Sequence, residues 1–365
     1  MISETKSLVH KNGNAITIFT EGDYLYDAMW EDIASARHTV WLESYIFSDD
    51  EIGRKFIDVL KLCQDRGVAV RVRVDAFGSR LGWPGGLAKQ LRHSGIKFER
   101  CLPFQWLKPW LFHRRNHRKL LVVDEAVAYL GGFNIDALNS RKVSGSMRWR
   151  DTHLRLTGPI ASQAAKSFLS LSYQTADYLC DTDNQPIILL NNYSRDCGHL
   201  LRCLLSSQLR RAKTRIWLTT PYFVPDGKIQ AELCRAAKRG VDVKVLVPGK
   251  TDAPIVRWAA HASYSHLLAA GVRIYEYQAR MLHAKTLIVD TDWCTVGTSN
   301  LDYRSLFINY ELNLAASFCE LNEQLESIFL DDLMDAKQIQ PKAWLDRSFI
   351  SRLAEWIGWI ARHWL

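Results

Sequence analysis

A histidine and a lysine two residues apart, followed by an aspartate, occur twice in this chain in the same frame. "HRKLLVVDEAVAYLGGFN" (117–134) and "HAKTLIVDTDWCTVGTSN" (283–300) share His-x-Lys, four residues, Asp, six residues, Gly, two residues, Asn. Residues two apart on a strand project from one face, so His117 with Lys119, and His283 with Lys285, each set an imidazole beside an ammonium. If the two copies face each other, two imidazoles and two ammoniums converge. The lysines then repel unless an anion lies between them. A phosphodiester is such an anion. One imidazole can attack phosphorus to give a phosphohistidine while the other protonates the leaving oxygen. Lys119, Lys285, Asn134 and Asn300 can hydrogen-bond the non-bridging oxygens. The scheme needs no metal and no cofactor.

Each imidazole also needs a carboxylate to fix its tautomer. Asp151 in "RWRDTHLRL" and Glu311 in "INYELNLAA" fall at comparable places after the two motifs, on strand-like runs. They are the candidates, with a charge on a half-exposed strand as the alternative.

The elements that must position these groups are duplicated too. "TVWLESYIF" (39–47) is echoed by "RIWLTTPYF" (215–223), and "QDRGVAVRVRVDAFGS" (64–79) by "AKRGVDVKVLVPGK" (237–250). "LRHSGIKFE" (91–99) is matched by "LLAAGVRIYE" (267–276), all at offsets of 173 to 176 residues. β-Branched runs such as "VAVRVRV" and "VDVKVLV" read as strands. They follow amphipathic helical stretches that end on a basic turn and a C-capping Gly. Helices alternating with strands predict an α/β chain with helices covering each sheet. The polar, turn-rich "CDTDNQP" (180–186) is the expected boundary. A cleft shared by two such halves is the natural site.

Composition narrows the partners without choosing one. At 365 residues, 47% apolar and 24% charged, the chain has enough material for two folded domains. Its formal charge of +8 favours anions: lipid headgroups, nucleic acid or phosphorylated small molecules. Thirteen Trp suit a membrane interface or stacking on bases, although Trp41 and Trp217 read as core. The eight cysteines show no C-x-x-C or metal-ligand spacing, which favours a reduced compartment. No signal-peptide pattern and no run of about 18 apolar residues occurs, so membrane contact is expected to be peripheral.

The paired motifs resemble those of the phospholipase D superfamily, whose signature is a duplicated HKD motif, over roughly residues 15 to 335. The resemblance implies two tandem phospholipase D-like domains, packed with pseudo-twofold symmetry around a shared active site. It also implies a metal-free phosphohistidine mechanism. His117, Lys119 and Asp124 form one motif; His283, Lys285 and Asp290 form the other. The family's usual division of labour makes His117 the nucleophile and His283 the acid, an order the near-symmetric sequence does not itself fix. The two aspartates, at strand ends, are expected to hold the motifs together. The expected domains are 1–182 and 183–345, followed by a C-terminal amphipathic helix over 346–365.

Within the superfamily, "GTSNLDYRSLFINYELN", "YIFSDDEIGRKFIDVL" and "LTTPYFVPD" look like bacterial cardiolipin synthases. Those enzymes transfer a phosphatidyl group between two phosphatidylglycerols; many carry N-terminal transmembrane helices, which this sequence does not show. One departure is visible: the usual Gly-Ser after the motif is Gly131-Gly132 in the first copy and Gly297-Thr298 in the second.

Two stretches are expected to meet anionic lipid at the cytoplasmic face of the inner membrane. The loop "PFQWLKPWLFHRRNHRK" sets Trp106 and Trp110 beside Arg114 and Arg115. The tail "RSFISRLAEWIGWIARHWL" puts apolar residues, Trp356 and Trp359 among its tryptophans, between flanking arginines. The alternatives are core packing for the aromatics and solvated arginines. Rival functions are a lipid hydrolase, a nuclease or phosphodiesterase of the same superfamily, and a binding module with a relic site. Two intact motifs argue against the last, and the Trp-rich tail argues against nucleic acid.

Overall fold

The computed structural model describes residues 7–79, 86–104, 106–107, 113–173, 185–192, 199–251 and 253–362. Within them the chain forms two eight-stranded sheets. The first holds β1 (Leu8–Val9), β2 (Ala15–Phe19), β3 (Thr39–Ser44), β4 (Ala69–Asp75), β5 (Lys97–Cys101), β6 (Leu120–Val123), β7 (Val127–Gly131) and β8 (His153–Thr157). The second holds β9 (Ile187–Asn191), β10 (Arg215–Thr219), β11 (Asp242–Pro248), β12 (Arg273–Tyr277), β13 (Thr286–Val289), β14 (Trp293–Gly297), β15 (Leu312–Ser317) and β16 (Ala336–Gln338).

Their orders are β1-β2-β8-β7-β6-β3-β4-β5 and β9-β15-β14-β13-β10-β11-β12-β16. Seven strands therefore correspond one to one, with β1 and β16 added at opposite edges. In each sheet the repeated "WL" strand pairs parallel with its successor and antiparallel with the motif strand, β6 or β13. The sheets divide the chain between Thr157 and Ile187; residues 180–184 of the expected boundary lie outside the described residues.

Local sequence explains the elements. Helices Glu51–Asp65 and Gly227–Lys238 start on Asp50 and Asp226, whose carboxylates accept from first-turn N–H groups. They end at Gly67 and Gly240, both at positive φ, as the C-cap pattern predicts. One apolar core joins the inner faces of both sheets with helices Pro159–Tyr173 and Cys319–Met334; two further cores lie under the outer helices. Trp41 stacks on Phe168 and Trp217 on Phe329, at ring separations of 5.5 and 5.2 Å. Both tryptophans are buried, the core role expected of them.

The C-terminal helix Phe349–Ala361 lies across helix Pro254–Ala269. Gly358 makes the crossing close: a Cβ there would stand 2.3 Å from the Ala259 nitrogen. Arg347 grips Glu355 at 2.8 and 2.9 Å. The rest of the apolar stripe faces outward, with Phe349 and Ile350 each 78% exposed and Trp356 60%. Packing and an open apolar face are thus both present, on different sides of one helix. No described helix is long and apolar enough to cross a membrane. Gly358→Leu should release this helix, at a cost of about 1–3 kcal/mol. Hydrogen exchange over 349–361 should then accelerate while the sheets stay protected; unchanged exchange would contradict the close crossing.

Candidate active site

The two motif strands are tied across the halves before any side chain is considered. His117 N–H donates to the Tyr310 carbonyl at 2.9 Å, and Tyr310 N–H to that of Arg115 at 2.9 Å. On the other side, Arg150 N–H donates to Met281 O at 2.8 Å and His283 N–H to Arg150 O at 2.7 Å. Tyr310 and Arg150 immediately precede Glu311 and Asp151. Each carboxylate is therefore delivered to the histidine of the opposite half. His117 Nδ1 meets Glu311 Oε2 at 3.0 Å, and His283 Nδ1 meets Asp151 Oδ2 at 2.5 Å. Both carboxylates are buried, so each fixes its imidazole with Nδ1–H donating and leaves Nε2 for the cleft.

Lys119 Nζ donates to the His117 carbonyl at 2.8 Å. Lys285 Nζ donates to the His283 carbonyl and lies 2.8 Å from His283 Nδ1. That nitrogen cannot both donate to Asp151 and accept from Lys285; the shorter contact to a carboxylate takes the proton. Burial, with Lys285 nearby, pushes Lys119 down to about 7. Burial and Lys285 push His283 down to about 4 against the pull of Asp151, and burial also lowers His117. Burial alone would raise Asp151 and Glu311, but Lys285 and His283 for the first, and His117 for the second, hold both below the usual range.

A cleft of about 380 Å³ opens onto both histidines and is walled by Tyr45, Phe77, Asn134, Trp149, Asn300 and Arg304 among others. Tyr45 lies 4.9 Å from the His117 ring and Trp149 5.1 Å from that of His283. Asn134 Oδ1 accepts from Ile46 N–H at 3.1 Å. Asp124 and Asp290 sit at the far ends of β6 and β13. Asp124 accepts from the N–H groups of Arg37, His38 and Thr39, each at 2.8 Å. Asp290 likewise accepts from Lys213, Thr214 and Arg215. Both clamp the turn that enters the neighbouring strand, β3 or β10, and neither lines the cleft.

The family described as "Cardiolipin synthase, PLD-like domain" matches residues 29–169 and 205–333, one copy on each half. This chain belongs to the phospholipase D-like family. It is 33% identical to a cardiolipin synthase of Oceanobacillus iheyensis over 96% of this chain and 75% of that protein. It is 30% identical to cardiolipin synthase A of Klebsiella pneumoniae subsp. pneumoniae over 94% and 74%. The fold is also that of the crystal structure of phosphatidylserine synthase from Haemophilus influenzae Rd KW20, with a TM-score of 0.71 at 13% identity, covering 97% of this chain and 93% of that one.

The departure from the family's Gly-Ser has a structural reason. The Thr298 hydroxyl donates to Glu311 and accepts from Leu312 N–H at 2.9 Å. At the matching place a Cβ on Gly132 would stand 1.9 Å from Asp151 Oδ1, so no side chain fits. Asp151 instead accepts from Thr152 N–H at 2.8 Å.

Two arginines at the first motif, Arg115 and Arg118, find buried carboxylates through space. Asn116 N–H donates to Asp75 at 2.9 Å and its side chain to Glu43. Arg118 lies 3.3 Å from Glu43, and Arg73 lies 3.8 Å from Glu43 and 3.2 Å from Glu99. Arg115, expected at the lipid surface, is only 3% exposed, pairs with Asp75 and holds the Leu102 carbonyl. It lines the inner cleft because that carboxylate draws it inward. Arg114 stacks over Tyr310. Trp106 is 87% exposed against Phe104, and Trp359 lies under Arg362; Trp110 falls outside the described residues. In the second copy the places of Arg73, Asn116 and Arg118 are taken by Leu246, Leu282 and Ala284, all in the shared apolar core.

Sequence reasoning missed Tyr45, Phe77, Trp149 and Arg304, since nothing in their spacing marks them. Gly132→Ala should push Asp151 off His283 and lower turnover by about 10²–10⁴-fold, with the fold kept by circular dichroism. Wild-type turnover in that variant would contradict the close approach.

Proposed function

We propose that this chain makes cardiolipin by phosphatidyl transfer from one phosphatidylglycerol to another. The observation that carries the reading is a cleft with two histidines, each oriented by a carboxylate from the opposite half, in a chain this similar to cardiolipin synthases.

In the first step His117 Nε2 attacks the donor phosphorus, the bond to the glycerol oxygen breaks, and His283 supplies the proton that glycerol carries away. In the second, the primary hydroxyl of another phosphatidylglycerol attacks phosphorus, its proton passes to His283, and the bond to His117 breaks. Nucleophilic attack needs a neutral imidazole, which the lowered His117 provides across neutral pH. An anion bound in the cleft opposes the lowering of Lys119 and His283, so substrate itself favours their charged forms. Lys119, Lys285, Asn134 and Asn300 hold the non-bridging oxygens, while Asp124 and Asp290 keep the motif strands in place.

The same reading divides the chain into halves 1–182 and 183–345 with 346–365 as a membrane-surface segment. On the first half exposed Phe77 lines the cleft, and Trp106 and Leu107, in the loop that leads to His117, are exposed as well. On the second, Val256 lines the cleft while Ile255 and Trp258 of the same helix are exposed beside the C-terminal helix. Dipping both groups into an anionic leaflet would turn the cleft mouth toward lipid, with Trp356, Trp359 and Arg352 at the interface. We place the enzyme peripherally on the cytoplasmic face.

Incubation with phosphatidylglycerol vesicles should give cardiolipin and glycerol. Phosphatidic acid as the product would make the chain a hydrolase, and nucleic-acid cleavage without lipid turnover would make it a nuclease. His117→Ala and His283→Ala should each cost about 10³-fold or more; activity retained in either would refute the two-histidine scheme.

A further inference from the structure

Two arginines among the described residues line the cleft, and they differ: Arg115 has a carboxylate partner in Asp75, and Arg304 forms no salt bridge. Lys119 corresponds to Lys285, and Arg115 faces Asp75 at 3.6 Å. Arg304, half-buried in the helix Tyr303–Phe307, lines the cleft that holds His117 and His283. One guanidinium nitrogen donates to the His113 carbonyl at 2.9 Å. Among the described residues no carboxylate lies within 4.0 Å of it. The corresponding place in the first copy, read from the aligned "GGFNIDALNS" and "GTSNLDYRS", is Leu138, which is 46% exposed and carries no charge.

A symmetric pair of lysines suffices for one phosphodiester. An additional cation on one side of the cleft, offset only in part by the buried Asp302 two residues before it, adds positive charge that a second anion would meet. The proposed reaction brings such an anion. The acceptor phosphatidylglycerol carries its own phosphodiester three carbons from the hydroxyl that attacks, whereas water or a simple alcohol carries none. A guanidinium fixed at one nitrogen presents its remaining N–H groups to phosphate oxygens in a set direction.

We propose that Arg304 forms an anion subsite for the unreacting phosphodiester of the acceptor lipid, and so selects an anionic alcohol over water or a neutral alcohol. The inference rests on the phosphatidyltransferase reading above. In the second step the acceptor hydroxyl still attacks phosphorus, its proton goes to His283 and the His117–phosphorus bond breaks. Arg304 only holds the acceptor in place.

The test compares acceptors in one enzyme. Wild type and Arg304→Met are given phosphatidylglycerol vesicles with and without excess ethanol, and cardiolipin, phosphatidylethanol and phosphatidic acid are measured. In Arg304→Met, cardiolipin formation should fall tenfold or more and its apparent KM for acceptor should rise. Phosphatidylethanol should fall by a much smaller factor, so the product ratio shifts toward the neutral acceptor and water. Arg304→Lys should restore part of the cardiolipin.

A parallel loss of cardiolipin and phosphatidylethanol would assign Arg304 to the donor or to the fold and overturn the subsite. So would an unchanged ratio. If wild type makes no cardiolipin at all, the parent reading fails and the subsite with it; cardiolipin from wild type with an unchanged ratio in the variant sinks the subsite alone.

Discussion

The site depends on a pair of crossed backbone contacts. Asn116 bridges to Tyr310 and Arg150 to Leu282, which brings the strand before each histidine against the strand before the other half's carboxylate. One residue further along, the period of two turns both members of each pair into the same cleft. Neither half therefore contains a complete imidazole–carboxylate unit. Docking of the sheets, held by a shared core and the twin Trp–Phe stacks, is a condition of the chemistry rather than a background to it. Arg150 adds a second tie across the halves, gripping Asp332 at 2.9 and 2.8 Å.

Burying this many charges is costly unless each has a partner. The two copies meet that demand differently. Behind the first motif lie Glu43, Asp75, Arg73, Arg115 and Arg118, linked through Asn116 to the strand that carries His117. Behind the second, the same space is filled by apolar side chains. Duplication thus preserved the reacting groups while the supporting layers diverged. A buried ionic layer fixes side-chain orientation at the price of desolvation, and an apolar layer gives packing without directional bonds. The chain uses one of each.

Much of this was legible in the sequence because it is local or periodic. The two motifs, the α/β alternation, the capping glycines and the outward apolar stripe of the last helix all follow from spacing. The crossing was not, because nothing local says whether Asp151 serves His117 or His283. The partners of Arg115 and Arg118 are hidden for the same reason: Asp75 and Glu43 lie on strands far away in sequence and beside them in space. Gly132 stands out in the sequence only as a departure from Gly-Ser, yet it is the space that lets Asp151 approach. Arg115 read as a surface charge because its loop is aromatic and basic, but a buried carboxylate decides where it goes.

The crossed pairing can be measured directly from the Nδ1–H proton resonances of the two histidines in protein carrying ¹⁵N-labelled histidine. Asp151→Ala should abolish or strongly shift the His283 signal and leave that of His117 in place, while Glu311→Ala should do the reverse. Loss of the His117 signal in Asp151→Ala, with His283 unchanged, would mean that each half completes its own histidine, contradicting a site built across the two.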